Sequence, residues 1–351
     1  MNILKRISAA TAGVCFLLSL AACSDTSWSV KTDNDTLSPG VYIYYMSTAY
    51  SEAYTKVEDS TSDILSQQVE EQDASEWIKD HAMLSCKKLL EVERKYADLG
   101  LTMTDEETAT ADTTTKAQWN QYGKLYEGLG IAKDSFHRAS TLYDIKYSKV
   151  FEATYGKDGA KAVSDEDLQN YYTSSYTDYS YFTKSLSKTD EEGNSEAMSD
   201  EEIEAVKNQF EGYQQKIENG SSFTDVAEQY QQDDALQNNP TVSDSSNLEK
   251  DSSLPDEIIN TLKELQPGSS SALKANNRYY LLIKNDITQS VDTLQTDSVR
   301  NDVLSSMKSD EFSTDIEESA KQLEVQINQA VVKKYQPSIF TKATSSKSSK
   351  K

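Results

Sequence analysis

Histidine is nearly missing from this chain, with only His81 and His137 in 351 residues, and cysteine is as rare, with Cys15, Cys23 and Cys86. Each histidine sits alone on a helical segment and reads as a packed or surface residue, so no Cys/His cluster of metal-ligand type is formed. Glycine and proline are also scarce, at 12 and 5. That scarcity argues against an all-β chain built on tight turns and for a mostly helical one. No phosphate-cradling glycine loop and no nucleophile elbow is present. Basic residues are outnumbered, 35 Lys and Arg against 58 Asp and Glu, for a formal charge of −23. A nucleic-acid partner is therefore not expected, since such binding rests on neutralising phosphates with Lys and Arg. Acidic runs such as Asp190-Glu191-Glu192 and Asp200-Glu201-Glu202 lie in polar surroundings and read as solvated surface.

A long hydrophobic run is missing too, and the one apolar stretch is terminal. Lys5-Arg6 precede Ile7 to Leu20, an apolar core of about fourteen residues, too short to span a bilayer comfortably. Leu20-Ala21-Ala22-Cys23 follows and resembles the lipobox of bacterial lipoproteins. The resemblance makes 1–22 a signal peptide, Cys23 the lipidated first mature residue, and the chain extracytoplasmic and membrane-anchored. Cys86 is then left without a disulfide partner and reads as helix packing.

What is plentiful is helical patterning. Residues 23–35 are polar and read as a tether. Thr36-Leu37-Ser38-Pro39-Gly40 is a turn and helix start, followed by the stripe Tyr42, Tyr45, Met46, Ala49 and Ala53. Glu58 to Ala74 buries little and is either a loop or a weakly packed helix. The clearest long helix, Glu76 to Leu99, carries Ile78, Ala82, Ser85, Leu89, Val92 and Tyr96 on one face and stops at Gly100. Thr104 caps another through Trp119, Tyr122 and Leu125, Asp134 begins a third, and Ser164 starts a short one into Tyr171-Tyr172. Beyond Ile287 the pattern is helical again from Gln295 to Leu323. Thr341 to Lys351 is rich in Ser and Lys and reads as a disordered tail. The 21 tyrosines are amphipathic contact area, useful for binding varied unfolded segments as well as for packing.

Between these helices lies a differently punctuated stretch, Glu201 to Ile287. Ile203, Val206, Phe210, Tyr213 and Ile217 make one helix face, which Asn219-Gly220 ends. Ser222 caps a second helix bearing Phe223, Val226, Ala227 and Tyr230. Pro255 opens a third, with Ile258, Ile259, Leu262 and Leu265, which halts at Gln266-Pro267-Gly268. Two strands joined across Asn276-Asn277 follow, and Tyr179–Leu186 reads as a strand in front.

The order of Lys216-Ile217-Glu218-Asn219-Gly220-Ser221-Ser222-Phe223, then Ala227-Glu228-Gln229-Tyr230-Gln231-Gln232-Asp233, then Leu265-Gln266-Pro267-Gly268, resembles the parvulin peptidyl-prolyl isomerases. With helices on both sides, the whole chain resembles PrsA/SurA-type foldases. The implied architecture is mainly α with an inserted α+β domain. A helical chaperone body over 36–172 is completed by a C-terminal helical segment over 289–340, with a parvulin-like module over 173–288.

The family's catalytic positions fall on Asp233, Leu254, Ile258 and, in place of a histidine, Tyr280. No cofactor is implied, since isomerisation means twisting an amide over a barrier of about 18–20 kcal/mol with apolar and polar groups alone. Neither family histidine is present in the module, and its glycine-rich loop is replaced by Asn238-Asn239-Pro240-Thr241-Val242-Ser243. The resemblance thus implies a foldase or chaperone for unfolded, newly secreted polypeptides, its isomerase site degenerate. The alternatives are a non-catalytic scaffold and a solute-binding or wall-associated lipoprotein. A solute-binding protein would show repeated strand–helix units with glycine-rich turns, which this chain lacks.

Overall fold

The computed structural model describes residues 28–189, 193–233, 240–250 and 253–345. They group into two compact units, one containing everything up to Ala162 and from Asp310 onward, the other running from Val163 to Ser309. The stretch expected to be a signal peptide, Cys23 and the residues after Ser345 lie outside the described residues.

The first unit is helical around a buried hairpin of helices. Strands β1 (Val30–Lys31) and β2 (Thr36–Leu37) pair antiparallel, with Val30 and Leu37 fully buried. The stretch expected to be a tether is therefore folded from residue 28 onward, because Val30 is an apolar anchor among polar neighbours. Helix α1 (Pro39–Lys56) follows, with Ser38 accepting from the Val41 N–H and Pro39 in the first turn, where its missing N–H costs nothing. Val41, Ile43 and Tyr50 are buried alongside the expected stripe, so α1 is apolar over most of its circumference and lies inside the unit.

Glu58–Ala74 is a loop with a 3₁₀ turn (Ile64–Ser66) and a tiny hairpin, β3 (Gln68–Val69) and β4 (Gln72–Asp73). Glu70 and Glu71 both adopt positive φ in its turn. The Glu70 carboxylate accepts from Lys56 Nζ and from Trp77 Nε1, which holds a conformation that Glu does not favour. Helix α2 (Ala74–Asp98) starts at Asp73, whose Oδ1 accepts from the Ser75 and Glu76 N–H groups at 3.0 and 3.1 Å. Its buried face includes Cys86 in place of the expected Ser85, and burial pushes the thiol far up from its ordinary value. Cys86 is packing material, and its thiol is not poised to react.

Helix α3 (Asp105–Leu129) opens on a full capping box between Thr104 and Glu107 and ends at Gly130, φ +89°. The next helical stretch has three parts: α4 (Lys133–His137), a π turn (Arg138–Leu142) and α5 (Tyr143–Tyr155). The apolar spacing gave no sign of the π turn.

The second unit opens with α6 (Asp165–Ser175), capped by Ser164, and β5 (Thr177–Ser185). A small hairpin, β6 (Ser187–Thr189) with β7 (Ser195–Ala197), leads to α7 (Asp200–Glu218) and α8 (Phe223–Asp233). Strand β8 (Thr241–Ser246), α9 (Asp256–Glu264), β9 (Ser270–Ala275) and β10 (Arg278–Lys284) complete it. The four long strands form one antiparallel sheet in the order β8-β5-β10-β9. Strand β8 occupies sequence that reads as loop, since Thr241-Val242-Ser243-Asp244 is short, polar and follows a proline.

The sheet's two faces are covered separately. On one, Phe210, Tyr213, Phe223, Val226 and Tyr230 of α7 and α8 pack against Phe182 and Leu281; Phe182 and Tyr230 are stacked at 4.4 Å. On the other, Ile258 and Leu262 of α9 pack with Tyr179, Tyr280 and Leu282.

A 3₁₀ segment (Ile287–Gln295) leads into α10 (Asp297–Gln322), which passes into the first unit at Asp310. There Phe312 meets Tyr147 edge-on at 4.8 Å, and Lys88 pairs with Glu317 at 3.3 Å. Strand β11 (Gln326–Ile327) then pairs with β1, so residues three hundred apart close one small sheet: Asn328 Nδ2 donates to the Trp28 carbonyl at 3.0 Å. Helices α11 (Gln329–Lys334) and α12 (Ser338–Ser345) end the described chain. The tail expected to be disordered is thus helical as far as Ser345, because Phe340 is buried against Tyr50 at 5.2 Å between ring centres. The chain is mainly α with an inserted α+β module.

Candidate functional site

Three of the four expected catalytic positions meet in the second unit. Leu254 precedes Pro255 at the start of α9 and is half-buried, Ile258 lies one turn in, and Tyr280 is the third residue of β10. All three belong to the cluster on the α9 face of the sheet, with Tyr179, Leu248, Leu262 and Leu282. The fourth, Asp233, is the last residue of α8, and its side chain lies outside the described residues.

This cluster has the character of a core. Ile258 is 2% exposed and Tyr280 7%, and the Tyr280 ring lies 6.2 Å from that of Tyr181. Burial pushes the Tyr280 phenol above its ordinary value, with Arg278 acting against the shift and Tyr181 and Glu257 adding to it. Tyr280 is therefore neutral throughout the physiological range and can offer a hydrogen bond, but it does not titrate as a histidine would. Thr183, opposite Tyr280 on β5, takes both Arg278 Nε and Nη2 on its hydroxyl, at 2.9 and 2.6 Å.

The two histidines are elsewhere, in the first unit. His81 stacks on Trp77 with ring centres 3.5 Å apart, and its Nδ1 contacts the Trp77 carbonyl at 2.9 Å. His137 Nδ1 lies 2.7 Å from the Thr115 hydroxyl, which also contacts that of Thr141 at 2.8 Å. Both are satisfied within helical packing. Among the described residues no group of three or more His, Cys, Asp or Glu could hold a metal ion, and no helix is long and apolar enough to cross a membrane.

A second feature went unread in the sequence. Beside β1 and β11 the first unit has a cavity of about 540 Å³ with a mostly polar lining, in which Lys31, Asp33, Asp35 and Glu93 stand beside Leu90 and Val325. Its wall is fixed by Arg138, which donates to Asp35 Oδ2 and Glu93 Oε2 at 2.6 Å each and to the Thr36 carbonyl at 2.7 Å. Lys146 reaches the other oxygen of Glu93 at 2.7 Å. Only Leu90, Ala97, Leu323 and Val325 of its lining are apolar, and β11 is the edge strand beside it. The signal was faint: Val325 and Ile327 alternate over only three residues.

No protein-family profile matches the chain, and no curated protein does. Among solved structures, the chain is similar to the foldase protein PrsA from Streptococcus pneumoniae str. Canada MDR_19A at 15% identity, over 88% of this chain and 99% of that one, with a TM-score of 0.35. It is also similar to PrsA from Bacillus subtilis at 16% identity, over 77% of this chain and 94% of that one, with a TM-score of 0.29.

Proposed function

We propose that the chain is an extracytoplasmic chaperone, anchored through a lipid on Cys23, that holds unfolded secreted polypeptides and does not isomerise their prolines. The observation that carries this reading is the content of the parvulin-equivalent positions. Leu254, Ile258 and Tyr280 pack into the core of the inserted sheet, and no histidine occurs between Val163 and Ser309. A site that distorts a prolyl amide needs an open apolar seat and groups that exchange a proton or a strong hydrogen bond near neutrality. Tyr280, buried and with its pKa raised, gives neither an open seat nor a proton to exchange near neutrality.

What supports polypeptide binding is the cavity beside β1 and β11, where Leu90, Leu323 and Val325 lie among polar and charged side chains, and the wealth of tyrosine, 21 in all. Large amphipathic side chains accommodate varied sequences at low entropic cost. The test is a pair of assays on one preparation of the protein without its signal peptide: suppression of aggregation of a chemically unfolded client, and cis–trans exchange of a proline tetrapeptide. Suppression with no acceleration of exchange is expected. Acceleration would overturn the non-catalytic reading, and failure to suppress would favour a scaffold or solute-binding role.

A further inference from the structure

The sheet of the second unit ends at β9, and edge strands expose a row of backbone donors and acceptors to any other extended chain. Here one side chain occupies two groups at the middle of that row. Gln214, on α7, accepts from the Ala272 N–H through Oε1 at 3.0 Å and donates from Nε2 to the Ser270 carbonyl at 3.3 Å. Its Nε2 also lies 2.9 Å from Glu218 Oε1, which keeps the amide turned toward the strand. The carboxamide thus occupies the C=O of one residue and the N–H of the residue two further on, two outward-facing groups that an adjacent strand would otherwise bond.

The edge it closes is self-complementary. β9 reads Ser-Ser-Ala-Leu-Lys-Ala, without an acidic residue and with one lysine. Two copies paired antiparallel about Ala272 would exchange both bonds at that residue and set Lys274 of each opposite Ser270 of the other. No like charges would then face one another. The Ser270 hydroxyl is buried and has no hydrogen-bond partner among the described residues, so it would gain an ammonium donor.

We propose that Gln214 is a stopper on the β9 edge, and that the surface it closes pairs with the β9 edge of a second copy of this chain once the carboxamide is gone. The test uses Gln214→Ala in the chain without its signal peptide. Alanine keeps α7 helical and removes the reach to β9 along with the exposed contact to Glu218.

At micromolar concentration, light scattering after size exclusion should give a monomer for the parent and a concentration-dependent dimer for Gln214→Ala. In dilute, monomeric samples the Ala272 amide should exchange with deuterium about tenfold faster in the variant, as expected for loss of one bond of ordinary strength. The double variant Gln214→Ala/Ala272→Pro lacks the central donor and should return to monomer, since Ala272 donates outward to Gln214 and takes no part as a donor to β10. A monomeric Gln214→Ala overturns the proposal, even if it binds unfolded peptides more tightly than the parent. So does a dimer that survives Ala272→Pro, or an Ala272 amide that exchanges equally fast in both proteins. None of these outcomes depends on chaperone activity.

Discussion

Arg138 offers the sharpest test of how the first unit is held together. Its guanidinium joins three pieces of chain: the turn before β2 through Asp35 and the Thr36 carbonyl, α2 through Glu93, and the π turn in which it lies. Arg138 and Glu93 side chains are 26% and 10% exposed, so this pair lies between a surface ion pair and a buried one. Breaking a buried pair costs about 3–5 kcal/mol and an exposed one about 0–1 kcal/mol. Lys146 stays on Glu93 when Arg138 is lost, so Arg138→Ala should cost about 2–3 kcal/mol.

The assay is urea unfolding followed by tryptophan fluorescence. All three tryptophans, Trp28, Trp77 and Trp119, lie in the first unit, so the signal reports that unit. A midpoint lowered by about 1 M is expected from a slope of about 2–3 kcal/mol/M. The pH dependence supplies a second check. Burial pushes the Asp35 carboxyl up, but the Arg138 guanidinium and the Thr36 N–H hold it below its ordinary value. A depressed carboxylate contributes stability above its unfolded pKa and loses it as pH falls through the folded one. The gap between parent and variant should therefore be widest near pH 7 and narrow below about pH 4. An unmoved midpoint, or an equal gap at pH 3 and pH 7, would refute the clamp.

Three further outcomes follow from packing and capping. Leu262 is fully buried under the sheet, and Leu262→Ala should destabilise the second unit by about 2–5 kcal/mol, measured by amide exchange in β10. Tyr230→Phe removes a buried hydroxyl that donates to the Thr183 carbonyl at 2.9 Å and should cost about 1 kcal/mol in the same measurement. Thr104→Ala breaks the capping box of α3 and should cost about 1 kcal/mol, seen first as faster exchange in that helix's opening turn.

Much of the inserted module was legible in the sequence because its signals are local. Gly220 and Ser222 sit at helix ends, and the spacing of Phe210, Tyr213 and Tyr230 predicts the buried face that Phe182 meets. Strand β8 was not legible, since Thr241–Ser246 has little apolar content and owes its place to pairing with β5. The same reason hid β11, two residues long, whose strand character comes from a partner about three hundred positions away. The π turn at Arg138 is set by where Arg138 must reach, which no periodicity encodes. At the candidate site the sequence named residues that do come together, Leu254, Ile258 and Tyr280. Their side chains form a core, though, and a list of positions does not distinguish a core from a seat for substrate.

The most direct measurement is magnetisation-exchange NMR of a proline tetrapeptide, made with and without a stoichiometric amount of the protein in a sample already shown to keep an unfolded client soluble. An unchanged cis–trans rate beside full client protection is the expected result. An exchange rate that rises with protein concentration, and falls when Tyr280 is replaced by Phe, would contradict it.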